Sequence, residues 1–281
     1  MIQPHSPTLD LALVRRIERS AAATSATFAE ALHRIDPSWR TQSFPLADGQ
    51  AVLCGAGLYV NQAIALGLVE PVTDAHLDEL AMRSREVGVP VAVEIGPATH
   101  EDLTVRCAER GLASTGDVSV LTLTGPTTAK RDETDVMTAE CVIQAVGLEE
   151  LVLWQAATAL GWGHDTVERR RASDAFAAAV FQRHGEMLLL ARAAVDGTVV
   201  GCASLTIYEG IAILGGMSTV PEARRRGVQR ALVHHRLAVA AAAGCDLAVT
   251  TAEAGGDSAR NLERLGFVPA YTKAVWRGNP T

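Results

Sequence analysis

Residues 215–232, GGMSTVPEARRRGVQRAL, have the types and spacing to bind a bulky anion. The extended apolar run Ile211–Thr219 enters a loop with three consecutive arginines and a glycine. That loop opens directly onto a helical pattern over residues 228–243. The first amides of a helix lack partners within it and carry partial positive charge, so they attract phosphate. Gly227 has no Cβ and lets the backbone approach such a group closely. Arg224, Arg225 and Arg226 add fixed charge and paired donors for phosphate oxygens. Together they would form a pyrophosphate cradle. The same residues would also make a solvated basic turn before a surface helix, and spacing alone leaves both readings open. Neither the G-x-x-x-x-G-K-[ST] loop nor a G-x-G-x-x-G between strand and helix is present.

Periodicity and turn residues define the elements that must hold this loop. Residues 187–195 and 198–208 flank Asp196-Gly197 and predict a β-hairpin, because Asp-Gly supplies the positive φ of a tight primed turn. After the loop-helix, residues 246–251 read as a strand, 258–265 as a short helix stopped by Gly266, and 267–276 as a last strand. Ahead of the hairpin come a possible strand at 136–143 and helices at 148–160 and 167–182, the two helices separated by Gly161-Trp162-Gly163-His164-Asp165. The first half predicts a helix from Leu11 toward Leu32, strand-like runs at 41–46, 50–53 and 58–68, a helix at 74–87 stopped by Gly88, a strand at 91–95, a helix at 100–110 closed by Gly111, and a strand at 118–123. Residues 125–133 are polar and aperiodic, the best linker candidate. Gly88 and Gly111 close matching helices in the first half as Gly244 and Gly266 do in the second, at nearly the same separation, which points to duplication of one α+β unit.

The chain has 281 residues, 48% of them hydrophobic and 20% charged, enough for a packed core in one large or two ordinary domains. Its net charge of −7 argues against a polyanion as main partner. Five scattered cysteines without a C-x-x-C pair fit reduced thiols and a cytoplasmic protein, with Cys202 and Cys245 in apolar runs as buried small hydrophobes. No apolar run is long enough for a membrane span, and no His/Cys/Asp/Glu group has metal-ligand spacing, so neither membrane nor metal is expected.

The arginine loop resembles the acyl-CoA motif of the GNAT N-acetyltransferase superfamily, [Q/R]-x-x-G-x-[G/A]. Residues 224–229, RRRGVQ, match at Arg224 and Gly227 and carry Gln229 where the family has a small residue. Val220-Pro221, Ala231-Leu232 and the element order over roughly residues 134–277 agree with that family. The resemblance implies a mixed α/β (α+β) fold of two GNAT-like domains, each a mixed, mostly antiparallel twisted sheet flanked by helices. Residues 1–129 would form a degenerate copy and 130–281 the acyl-CoA-binding copy. It further implies that Met217, Ser218, Thr219 and Val220 offer backbone groups to the pantetheine arm of acetyl-CoA. The pyrophosphate would be held by residues Arg224 to Arg230, with Gly227, Val228 and Gln229 giving amides. Thr250 and Thr251 would line the thioester side, with Ser258 and Asn261 near the cofactor arm.

Many members use a tyrosine on the short helix to protonate the departing thiolate, and here that position is Leu262. Ser258, one turn earlier, is the stand-in, unless it only caps the helix. Tyr208 and Glu253 are strand-end candidates for acid–base work, beside an ordinary loop role for each. The break at Trp162, His164 and Asp165 would touch the acceptor. His235 reads as a core-edge histidine. In the first half, Val69-Glu70-Pro71-Val72-Thr73-Asp74 stands where the cradle would be and has neither arginine nor glycine, so that copy would have lost its cofactor site. The expected activity is transfer of an acetyl or other acyl group from acyl-CoA to an amine of a small molecule, in a monomer or homodimer. A non-catalytic acyl-CoA-binding module and an aminoacyl-tRNA donor stay open.

Overall fold

The computed structural model describes residues 9–125 and 141–279. In the first half the elements are α1 (Leu11–Ile35), β1 (Gln42–Leu46), β2 (Gly49–Leu53), β3 (Gln62–Ile64), α2 (Asp74–Val87), β4 (Val91–Ile95), α3 (Leu103–Glu109) and β5 (Ala113–Thr124). The second half has β6 (Cys141–Ala145), α4 (Leu151–Trp162), α5 (Val167–Phe181), β7 (Glu186–Ala193), β8 (Val199–Tyr208), β9 (Ile211–Thr219), α6 (Val228–Ala242), β10 (Leu247–Glu253), α7 (Asp257–Arg264) and β11 (Val268–Gly278). The expected division between residues 129 and 130, and all of the polar linker beyond Gly125, lie outside the described residues.

Local chemistry sets many of these ends. Asp10 accepts the amides of Ala12 and Leu13 and starts α1. Thr73 caps α2 through the His76 amide, and Gly88 at φ 80° ends it in the left-handed region. Gly88, Gly111, Gly244 and Gly266 all take positive φ, so the four matched glycines stop their helices by one device.

The strands form one continuous mixed sheet, ordered β1-β2-β3-β4-β11-β5-β10-β9-β8-β7-β6. Pairing is antiparallel for β1/β2 and β2/β3, parallel for β3/β4, and antiparallel for β4/β11. The second half repeats this sequence in β7/β8, β8/β9, β9/β10 and β10/β5. Apart from β6, an added edge strand on β7, the halves therefore match strand for strand, but each completes its sheet with the other's last strand. The two exchanged strands, β5 and β11, pair antiparallel at the centre. The two sheets expected separately are in consequence fused into one, because β5 pairs with β10 and β11 of the second half and β11 with β4 and β5 of the first.

Helices α6 and α7 cover one face of the second half over Leu121, Leu205, Leu214, Leu237 and Leu262. Helix α1 covers the opposite face over Val120, Ile211, Val249 and Tyr271. Two buried ionic groups lie within these layers. Arg236 of α6, 1% exposed, donates to the carbonyls of Leu232, Ser204 and Gly215. Lys273 of β11 reaches Glu94 on β4 at 2.5 Å and Glu18 on α1 at 3.3 Å, and Tyr271 donates to the same Glu18. Cys202 and Cys245 are buried, and burial pushes the Cys202 thiol up to about 12.

Candidate active site

Strands β9 and β10 pair only over Ile211–Ile213 and Leu247–Val249, then diverge. Past that point β9 bulges: Gly215 faces Ser204 and Ser218 faces Cys202, so two residues of β9 stand against one of β8. Gly216, at φ 53°, lies in the bulge. Thr250 spans the opening with its hydroxyl on the Leu214 carbonyl at 2.9 Å, and Arg236 holds the Gly215 carbonyl at 3.2 Å. The β10-facing edge of β9 beyond these two bonds has no strand partner. Such a gap exposes main-chain donors and acceptors along one edge, the arrangement an extended amide-bearing ligand needs.

On the α6 face this gap opens into a cavity of about 880 Å³. Its lining brings together Met217, Ser218, Thr219, Arg224, Arg225, Gly227, Val228, Gln229, Arg230, Ser258 and Asn261, eleven of the residues singled out above. Gly227 is the residue before α6 and has φ 80°, so the helix amides face the cavity with no side chain in front. Arg225 also has positive φ, 65°, a conformation costly for a residue with a Cβ. The Arg224 guanidinium donates to the Gly161 carbonyl at 3.0 Å and ties the loop to the end of α4. Gln229, where the motif has a small residue, accepts from Asn261 at 3.0 Å and joins the first turn of α6 to α7.

Other residues fall elsewhere. Val220 is buried and Arg226 exposed, and neither lines the cavity. Tyr208 sits at the closed end of the β8–β9 hairpin, paired with Ile211, on the far side of the parallel pairing from the gap. Glu253 is exposed at the end of β10, on the Thr251 side of the gap. Ser258 does not cap α7, whose preceding residue is Gly256, and Leu262 is buried. Trp162 is exposed and lines the cradle rather than the opposite face, because Gly161 seats the end of α4 against Ser218. Asp165 is exposed, and His164 is half-buried with its Nδ1 atom unpartnered. Burial first, and then Arg169 and Arg170, pull the His164 imidazole below its ordinary range. His235 is half-buried, and the core position on that turn belongs to Arg236, a residue the sequence reading passed over.

On the opposite face the same gap meets a second cavity of about 260 Å³, lined by Gly215, Thr250 and Thr251 below and by α1 above. Its α1 wall includes Ile17 and Ala21, which apolar periodicity places on one helical face, together with Ser20, Thr24 and Phe28, for which the sequence suggested no functional role. Beside it, Glu186 receives the Thr206 hydroxyl and lies 3.3 Å from Arg183, and burial pushes the Glu186 carboxyl up.

The first half shows what a filled counterpart looks like. In the loop between β3 and α2, the amides of Gly67 and Val69 donate to Asp48 of the β1–β2 turn. A carboxylate of the chain itself takes the donors that an external anion would need. Among the described residues no group of three or more His, Cys, Asp and Glu side chains is placed to hold a metal ion, and no helix is long and apolar enough to cross a membrane.

Residues 150–267 match the family model described as Acetyltransferase (GNAT) family. No curated protein matches the sequence. Among solved structures, a GCN5-related N-acetyltransferase from Kribbella flavida is 19% identical, with 90% of this chain and 95% of that chain covered and a TM-score of 0.57. A tandem GNAT protein from the clavulanic acid biosynthesis pathway is 14% identical, with coverage of 83% and 78% and a TM-score of 0.58. A functionally unknown conserved protein from Staphylococcus epidermidis is 13% identical, with coverage of 78% and 85% and a TM-score of 0.57. The likeness in fold extends over both halves, and within the second half residues 150–267 carry the match to the GNAT acetyltransferase family model.

Proposed function

We propose that this protein transfers an acyl group, acetyl first among them, from acyl-CoA directly to an amine of a small molecule. The observation that carries this reading is the gap between β9 and β10, which joins a cationic cradle on one face of the sheet to a separate cleft on the other. The cradle fits a pyrophosphate: Arg224, Arg225 and Arg230 surround glycine backbone and helix amides, and the cavity is large enough for a nucleotide with its arm. Bound there, acyl-CoA supplies an activated thioester. Met217, Ser218 and Thr219 then hold the pantetheine amides along the unpaired edge of β9, and the carbonyl lies at the gap near Thr250 and Thr251.

The amine approaches from the cleft. Its nitrogen lone pair forms the bond to the carbonyl carbon, the carbon–sulfur bond breaks, and the sulfur leaves with the electron pair. The proton lost by nitrogen balances the one gained by sulfur. Ser258, on the cradle side, is the hydroxyl placed to give the sulfur its proton, and Glu253 takes up the amine proton through water. Holding the two reactants across one gap supplies much of the acceleration, so a neutral amine needs no strong base.

The test is a thiol-release assay with acetyl-CoA and a panel of amines, beside a thermal-shift titration with CoA. Binding raises the melting temperature through its preference for the native state. Absence of any shift at millimolar CoA would defeat the proposal. The buried leucine at position 262 gives weight to a second reading, a module that binds acyl-CoA without turnover. A thermal shift without thiol release across the panel is its signature.

A further inference from the structure

The cleft beneath α1 has a chemistry that narrows its ligand, given the acyl-transfer reading above. One wall is aromatic: Phe176 of α5 lies with its ring centroid 5.2 Å from Phe28 and 5.1 Å from Tyr59. Two cations border the cleft, and both are already paired. Arg183 lies 3.3 Å from Glu186, and Lys273 lies between Glu18 and Glu94. The Arg183 pair is neutral and the Lys273 cluster has one excess negative charge. A ligand carboxylate entering here would lose its water, find no uncommitted cation and face that excess. Ser20 of α1 lines the cleft, and its hydroxyl is buried without a hydrogen-bond partner. Buried hydroxyls are rarely left unpaired, so this one marks a place for a polar group of a ligand. The volume, about 260 Å³, lies just below the roughly 300 Å³ at which drug-sized ligand sites begin, the scale of a single ring with a short arm.

We infer that the acceptor is a small primary amine on an apolar, ring-sized body without a carboxylate, and that α1 and the Tyr59 loop of the first half help select it. The amine end lies at Gly215 and Thr251, where the gap opens, and the ring lies against Phe28, Tyr59 and Phe176. The first half then acts as half of the acceptor site, not only as a scaffold.

Calorimetric titration of the CoA-loaded protein separates acceptor binding from turnover. The probes are 2-phenylethylamine, phenylalanine (which adds a carboxylate) and 1,4-diaminobutane (which removes the ring). The expected result is binding of 2-phenylethylamine at least tenfold tighter than either of the others. Phe176→Ala should erase that preference, and CoA affinity, read on the opposite face, reports whether the variant is folded. Tyr59→Ala, at an exposed position, is the second variant should Phe176→Ala fail to fold, and it should narrow the preference severalfold. Equal or tighter binding of phenylalanine or the diamine overturns the inference, as does binding of none of the three by protein that binds CoA. Failure to bind CoA at all instead overturns the acyl-CoA reading on which the inference rests.

Discussion

Gly161 of α4 lies so close to Ser218 of β9 that a Cβ on the glycine would stand 1.7 Å from the serine hydroxyl oxygen and 3.1 Å from the Thr219 carbonyl oxygen. Any side chain at this position would push α4 off the strand that borders the cradle or force Ser218 to move. Alanine would gain up to about 1 kcal/mol in helix propensity, but overpacking costs about 1–3 kcal/mol, so the clash wins. Gly161→Ala should lower the melting temperature and weaken CoA binding together. Adding Ser218→Gly, which removes the obstructing side chain, should recover most of both losses in the same thermal-shift measurement.

The cradle makes a charge prediction. Gly227→Asp puts a Cβ at φ 80° and a carboxylate beside the helix amides, and it should abolish the CoA-induced thermal shift. Arg225→Ala removes one of the proposed phosphate partners and should weaken CoA about tenfold at low salt. The difference from wild type should shrink as salt is raised, since screening weakens the interaction that was removed. Arg226→Ala, outside the cavity lining, should have the smaller effect of the two arginine changes.

Trp162 gives the site an optical reporter. Trp39 and Trp154 are buried, while Trp162 is 61% exposed on the cradle lining. Titration with CoA should change the intrinsic fluorescence in a saturable way, and Trp162→Phe should remove most of the change. Persistence of the full signal in that variant would place the ligand elsewhere.

Lys273 joins three elements through charge. Replacing it with methionine leaves Glu18 and Glu94 buried without their cation, and breaking such a group costs about 3–5 kcal/mol. Chemical denaturation of Lys273→Met should show a loss of that order. The double change Lys273→Met with Glu94→Gln should be less destabilised than the sum of the single changes, because one uncompensated charge is gone.

Acid stability follows from His164. Its folded pKa is lowered, so below the unfolded value of about 6.5 the unfolded chain binds more protons and stability falls as pH falls. The His164 contribution is complete above that value and is lost as pH drops through the folded one. Between pH 7 and 5, the melting temperature of His164→Gln should fall less than that of the wild type. His235 is shifted in the same direction, by burial first and then by Arg236, and the double variant should be flatter still.

How much of this was legible in sequence depends on how local each cause is. Helix α2 and strands β4 and β9 have the bounds that periodicity predicts, because Thr73, Gly88 and the alternation of Ile211–Thr219 act over a few residues. The cradle was legible for the same reason: strand, arginine loop and helix are contiguous. Arg236 was missed although Leu232, Val233, Leu237 and Ala240 put it in the middle of an apolar stripe; its buried carbonyl partners on β8 and β9 have no signature in the helix itself. The proposed acceptor cleft was illegible because its walls come from α1, α5 and six strands. The crossing of β5 and β11 was illegible too, since two similar strands fit either half-sheet by pattern alone.

That crossing has a consequence for synthesis. Strand β4 is flanked by β3 and β11, and β11 is translated long after it. At about 5–20 residues per second, the first half waits on the order of ten seconds for the strand that closes its sheet. During that interval β4 lacks its native neighbour, and Glu18 and Glu94 lack Lys273. The native sheet of the first half is thus complete only once the last strand of the second has been made.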